Sequence, residues 1–165
     1  MMIFVTIGGQ EPFDRLIEAM DLLAPKLNGY DIVAQVLNSN YKAKNIKTIS
    51  YLSPKEFDFY FDEATLIVGH AGMGTILTAL QREKPIIVIP RKIELKEHRN
   101  NHQWATAQKM TELNYVHVVN DEKDLLENIR KFLETGAKSL FKINSEASDS
   151  LLESIKDYTE EIASI

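Results

Sequence analysis

Short apolar runs and stretches of helical period alternate along this chain. Ile3 to Ile7 is a β-rich run closed by Gly8-Gly9. Pro12 then suits the first turn of a helix. Phe13, Leu16, Ile17, Met20, Leu23 and Leu27 recur at helical spacing up to Asn28-Gly29, a stop signal. Asp31 to Leu37 predicts a second strand, Ile46 to Tyr51 a short third one, and Pro54 to Phe61 a brief helix. Leu66 to Val68, Ile86 to Ile89 and Val116 to Val119 complete the strands, with helices at about 75–83, 98–112 and 121–135. Strands alternating with helices of this length predict an α/β fold of parallel βαβ units. Such sheets place ligands at the carboxyl ends of their strands. Gly8-Gly9, the loop at 69–75 and the loop after Pro90 would share that edge.

The tail reads differently. Residues 136–150 are small and polar; Leu151, Ile155, Tyr158, Ile162 and Ile165 then repeat at spacings of four, three, four and three. Ser150 and Glu153 fit a capping box. The chain therefore divides into a domain at 1–136 and a linker with an amphipathic terminal helix at 137–165. That helix either packs on its own sheet or docks on another chain.

Leu66 to Pro90 is the most informative stretch. An apolar run enters the turn Gly69-His70-Ala71-Gly72-Met73-Gly74-Thr75, and an apolar-periodic segment and a second apolar run follow. Gly72 and Gly74 let backbone approach a ligand closely. A turn of this kind at a helix N-terminus presents unpaired N–H groups and the positive end of the helix dipole, a ready site for phosphate. Thr75 can cap the helix or give its hydroxyl to that phosphate. On spacing alone, a purely structural turn is equally compatible. The stretch is neither a Walker A loop, since no Lys-Ser/Thr pair follows, nor the dinucleotide fingerprint.

Composition narrows the field. The 165 residues suffice for one domain with a sizeable core, and a net charge of −5 with no basic cluster argues against nucleic acid. The absence of cysteine fits a reducing cytoplasm and excludes thiolate metal sites. No apolar run reaches the roughly 18 residues of a membrane span.

Two further segments carry candidate chemistry. His70, at a strand end beside the glycine loop, is a packing histidine or a donor to phosphate. Asn100-Asn101-His102-Gln103 offers groups that both donate and accept, as sugar hydroxyls require, or else a polar helix start. The charge run from Arg91 to Arg99 reads as a solvated loop. No Ser/His/Asp order, HExxH, close carboxylate pair or Asp-x-Asp stands out, so nothing predicts a metal.

The segments HAGMGTILTAL, KPIIVIPR and NNHQWATA, with the opening VTIGGQEPFDRLIEAMD, resemble glycosyltransferase family 28. The likeness spans about residues 3–120 and rests on segments in the right order and separation. The opening resembles the start of the short members: bacterial exopolysaccharide and capsule glycosyltransferase subunits, and the catalytic subunit of the dolichol-diphosphate N-acetylglucosamine transferase. The resemblance implies a Rossmann-like parallel sheet with helices on both faces, the C-terminal, donor-binding half of a GT-B glycosyltransferase. His70, Gly72, Gly74 and Thr75 would hold the diphosphate of a UDP-sugar, and Gln103, with His102 before it, would meet the sugar. The backbone around Leu52 would read uracil, and Gly8 and Gly9 would leave room beside the diphosphate.

The resemblance further implies hexose transfer, without a metal or other cofactor, to a lipid-diphosphate-linked saccharide in bacterial polysaccharide assembly. The acceptor half and the catalytic base would come from a membrane-anchored partner subunit. That partner would hold this chain at the cytoplasmic face of the membrane. One departure stands out: the family usually has Glu where this chain has Thr78, and that Glu holds the ribose hydroxyls. Threonine is short and uncharged, which leaves room for the alternative of a non-catalytic subunit that enhances a partner transferase.

Overall fold

The computed structural model describes residues 1–99, 102–136 and 139–140. Six strands, β1 (Met2–Thr6), β2 (Asp31–Gln35), β3 (Lys47–Ile49), β4 (Leu66–His70), β5 (Ile86–Ile89) and β6 (His117–Val118), form one sheet in the order β3-β2-β1-β4-β5-β6. Every pairing is parallel. Among the described residues, the helices α1 (Asp14–Leu23), α2 (Pro54–Glu63), α3 (Met73–Gln81) and α4 (His102–Glu112) lie between strands, and α5 (Leu125–Glu134) follows β6. The element sequence follows the hydrophobic pattern, with shifts at the ends. The first helix stops at Leu23 and tightens into a 3-10 turn over Ala24–Lys26, where Pro25 has no N–H to continue the α ladder. The second strand ends at Gln35, and Leu37 beyond it takes a left-handed φ of 49°.

Alternation along the strands explains why both faces of the sheet are covered. Ile3 and Val5 point with Ile32, Val68 and Ile87 into a core completed by Leu16, Ile17 and Met20 of α1 and Ile129 and Phe132 of α5. Phe4 points the other way, with Val33, Ile67 and Val88, onto Phe61 of α2, Ile76 and Leu80 of α3 and Ala107 of α4. Strands buried on both faces are continuous apolar runs, as the sequence displays them. The buried Phe4 ring lies near Phe57, Tyr60 and Phe61, so α2 is fixed against the sheet by aromatic contacts.

Two local devices place the chain beside the ligand edge. Ser53 caps α2, accepting from the Glu56 N–H while Glu56 accepts from the Ser53 N–H, and Pro54 occupies the first turn. This capping box fixes the approach of Leu52. The sheet order reverses at β1, whose neighbours are β2 and β4. The loops leaving β1 and β4 therefore diverge to opposite faces and open a crevice between them. The terminal-helix expectation, with Ser150 and Glu153, lies outside the described residues.

Candidate functional site

The crevice at the sheet reversal has two lobes. The first, about 480 Å³, is lined by Gly8, Gly9, His70, Gly72, Gly74, Thr75, Arg91, His102 and Gln103 among others. The second, about 440 Å³, is lined by Thr6, Gln35, Leu52, Pro54, Phe57, Asp58 and Thr78. Gly8, Gly9, Gly74 and Thr75 border both lobes, so the two form one continuous cleft. Gly8, Gly9, Leu52, His70, Gly72, Gly74, Thr75, His102 and Gln103 all line this cleft, although β1, β4, α4 and the turn before α2 supply them from distant parts of the chain; Asn100 and Asn101 lie outside the described residues.

The first lobe has features that could receive an anion. The α3 helix begins with Gly72 as its N-cap, and no side chain caps it. Its first N–H groups and the positive end of its dipole therefore face the cleft. The His70 side chain explains two of the glycines. A Cβ on Gly72 would lie 2.1 Å from His70 Nε2, and one on Gly8 would lie 2.8 Å from the same atom. Gly8 also has a φ of +78°. Gly74, in contrast, has nothing within 4 Å of a would-be Cβ and borders the open cleft.

The His70 imidazole is neutral at ordinary pH. Burial first, and then the positive charge of Arg91, push its pKa down to about 4, with a smaller contribution from His98. The Thr6 main chain lies near enough to oppose the shift in part, yet Nδ1 makes no hydrogen bond of normal geometry. A neutral imidazole can meet an anion by N–H donation.

Arg91 corrects the expectation of a solvated charge run from Arg91 to Arg99. It is 3% exposed. Its Nη2 donates to the Ile7 and Glu11 carbonyls at 2.9 and 2.6 Å, and its Nη1 to the Pro12 and Glu97 carbonyls at 3.0 and 3.2 Å. The guanidinium carbon lies 4.9 Å from the centre of the Phe13 ring. One cation thus fastens the Gly8-Gly9 loop to the loop after β5, because a planar fork satisfies several carbonyls at once. The Arg91 N–H in turn donates to Gln103 Oε1 at 3.3 Å, which leaves the Gln103 amide N–H₂ for the cleft. Glu97 is also engaged, in an ion pair with Arg15 at 2.7 Å. The available signal was position: a charge directly after an apolar strand, at the ligand edge.

The second lobe has an apolar wall of Leu52, Pro54 and Phe57 and a polar floor of Thr6 and Gln35. Thr78 stands at its border with its hydroxyl donating to the Gly74 carbonyl at 2.8 Å, the back-bond of a helical threonine. Asp58 is the carboxylate of this lobe, and Arg82 holds it at 2.5 Å. Neither Gln35 nor Asp58 belongs to a recognisable sequence motif. Among the described residues no cluster of three or more His, Asp or Glu is placed to hold a metal, and no helix is long and apolar enough to cross a membrane.

A six-stranded parallel Rossmann-like sheet with a ligand cleft at its reversal is the architecture of the GT-B glycosyltransferases. The chain belongs to the glycosyltransferase family 28 C-terminal domain family, which matches residues 2–162. It is 33% identical over 75 residues to the UDP-N-acetylglucosamine transferase subunit ALG13 of Candida albicans, a match covering 46% of this chain and 24% of that protein. The match thus spans about a quarter of the length of that curated relative. The fold is shared with the solution structure of ALG13, at a TM-score of 0.56 and 20% identity over 93% of this chain and 94% of that one. It is shared also with MurG of Acinetobacter baumannii, at a TM-score of 0.59 and 15% identity over 79% of this chain and 40% of that one.

Proposed function

We propose that this chain is the donor-binding subunit of a two-component UDP-sugar glycosyltransferase. The observation that carries the reading is the two-lobed cleft. Its first lobe offers an uncapped helix N-terminus, bare glycine backbone and a neutral His70, which together suit a diphosphate. Its second lobe, with an apolar wall over a polar floor, suits a nucleoside. Gln103 and His102, which also line the first lobe, would meet the sugar. During transfer, the helix N-terminus and the His70 N–H would stabilise the charge that develops on the departing nucleoside diphosphate. A base on the partner would deprotonate the acceptor hydroxyl.

The two-component part of the reading draws on the relative that is itself named a subunit. The partner would carry the acceptor-binding half and a membrane anchor and so hold this chain at the cytoplasmic face. The acceptor would be a lipid-diphosphate-linked saccharide in bacterial capsule or exopolysaccharide assembly, the donated sugar a hexose, and no metal would take part. Titration of UDP into the purified chain tests the donor site. Co-expression with a candidate partner, followed by a donor screen with and without chelator, tests the transfer.

One observation favours a second reading. The Thr78 hydroxyl is spent on the Gly74 carbonyl, so position 78 gives the second lobe no carboxylate. A non-catalytic subunit that enhances a partner transferase would tolerate this. Complex formation with the partner in the absence of any UDP binding would select that reading.

A further inference from the structure

The second lobe is lined by a polar side chain of which the fold uses only one end. Gln35 is the last residue of β2 and is 8% exposed, and it lies beside Thr6, which is fully buried. The Thr6 hydroxyl donates to Gln35 Oε1 at 2.8 Å. The same hydroxyl oxygen accepts from the Gly8 N–H at 3.5 Å, so its proton is free to point at Gln35. This relay uses the carbonyl end of the amide and turns the N–H₂ end toward the lobe. Among the described residues, nothing accepts a hydrogen bond from Gln35 Nε2, and this N–H₂ is not one of the buried atoms left without a partner, so it is open to the lobe that Gln35 lines. The other polar groups around it are committed: Thr78 to the Gly74 carbonyl and Asp58 to Arg82.

We infer that Gln35 is the nucleoside-reading residue of the cleft, its Nε2 donating to an oxygen of the bound nucleotide. The inference rests on the donor-site reading and deepens it. The oxygen belongs either to the ribose or to a pyrimidine carbonyl; both are acceptors presented to the same amide. The Leu52-Pro54-Phe57 wall lines the same lobe and would cover the flat side of the base, while the relay from Gly8 through Thr6 ties the orientation of Gln35 to the loop that borders the diphosphate lobe.

Calorimetric titration of the full chain with UDP, 2′-deoxy-UDP and inorganic pyrophosphate tests this. Gln35→Leu, folded as judged by its thermal transition, is expected to bind UDP roughly five- to tenfold more weakly and pyrophosphate unchanged. Gln35→Met, closer in length, carries the same test if the leucine variant does not fold. With a contact to the ribose 2′-hydroxyl, the loss disappears when 2′-deoxy-UDP is the ligand; with a contact to the base or to another ribose oxygen, it is equal for both nucleotides. UDP binding within twofold of wild type in a folded variant overturns the inference and leaves the donor-site reading standing. Equal losses for UDP and pyrophosphate also overturn it, since they would mean general damage to the cleft. Absence of UDP binding by the unaltered chain overturns the donor-site reading and this inference with it.

Discussion

The His70 ring occupies the space that a side chain on Gly72 would need: a Cβ there would lie 2.1 Å from Nε2. The N-cap of α3 is therefore glycine for the sake of the histidine before it, while a Cβ on Gly74, two residues on, would meet no atom within 4 Å and would face only the cleft. The two positions should respond oppositely to one added methyl group.

Gly72→Ala is expected to displace His70 or the helix start and to lower the melting temperature by several degrees. Gly74→Ala meets no atom within 4 Å and sits in the first turn of a helix, where alanine is favoured by up to about 1 kcal/mol. It should hold or raise the melting temperature while weakening UDP. Paired thermal melts and UDP titrations decide this; a Gly74→Ala protein that binds UDP at full strength would remove the case for close backbone approach there.

Restoring a carboxylate at position 78 should tighten the nucleotide. In Thr78→Glu the Gly74 carbonyl loses its side-chain donor, and the second lobe gains a charged acceptor for ribose. A charged hydrogen bond contributes roughly 1.5–3 kcal/mol, so UDP affinity should rise about tenfold or more. If titration finds no gain, the ribose does not pass near position 78.

Acid stability should depend on His70. Unfolded, the imidazole titrates near 6.5; folded, near about 4. Between those values the unfolded chain binds the extra proton, so stability falls as pH drops from 6.5 toward 4 and is unaffected above that window. The full loss is roughly 3 kcal/mol. His117, also lowered, chiefly by burial, acts in the same direction. Asp21 and Glu122, whose pKa values are lowered, lose their contribution only below the ordinary carboxylate range. Urea denaturation of His70→Asn at pH 7 and pH 4.5 should show a pH difference about 2 kcal/mol smaller than in the parent. An unchanged difference would mean that the ring is not held neutral.

Arg91→Met should leave the Ile7, Glu11, Pro12 and Glu97 carbonyls without their donor. The expected destabilisation is about 2–4 kcal/mol, with Lys at this position recovering only part because it lacks the planar fork. Urea midpoints of the three proteins provide the measurement. A Met variant as stable as the parent would show that the Gly8-Gly9 loop holds itself.

The sequence by itself determined the order of the elements and the edge at which they meet a ligand. Both are local properties: Ile3 to Ile7 and Ile86 to Ile89 are strands because apolar β-rich runs must be covered on both faces, and Gly72-Met73-Gly74 must turn from strand into helix. The named glycines, His70 and Thr75 could be assigned to that edge from motif and position, and Leu52, His102 and Gln103 from the family resemblance; the fold brings all of them to one cleft. Tertiary structure alone decided which polar side chains are buried. Arg91 looked like one member of a solvated charge run, and Gln35 like the tail of an ordinary strand. Their surroundings come from residues about 80 and 29 positions away, Ile7 and Glu11 for one and Thr6 for the other. Whether a polar group is satisfied, strained or left free for a ligand depends on partners that only the folded sheet brings within hydrogen-bonding reach.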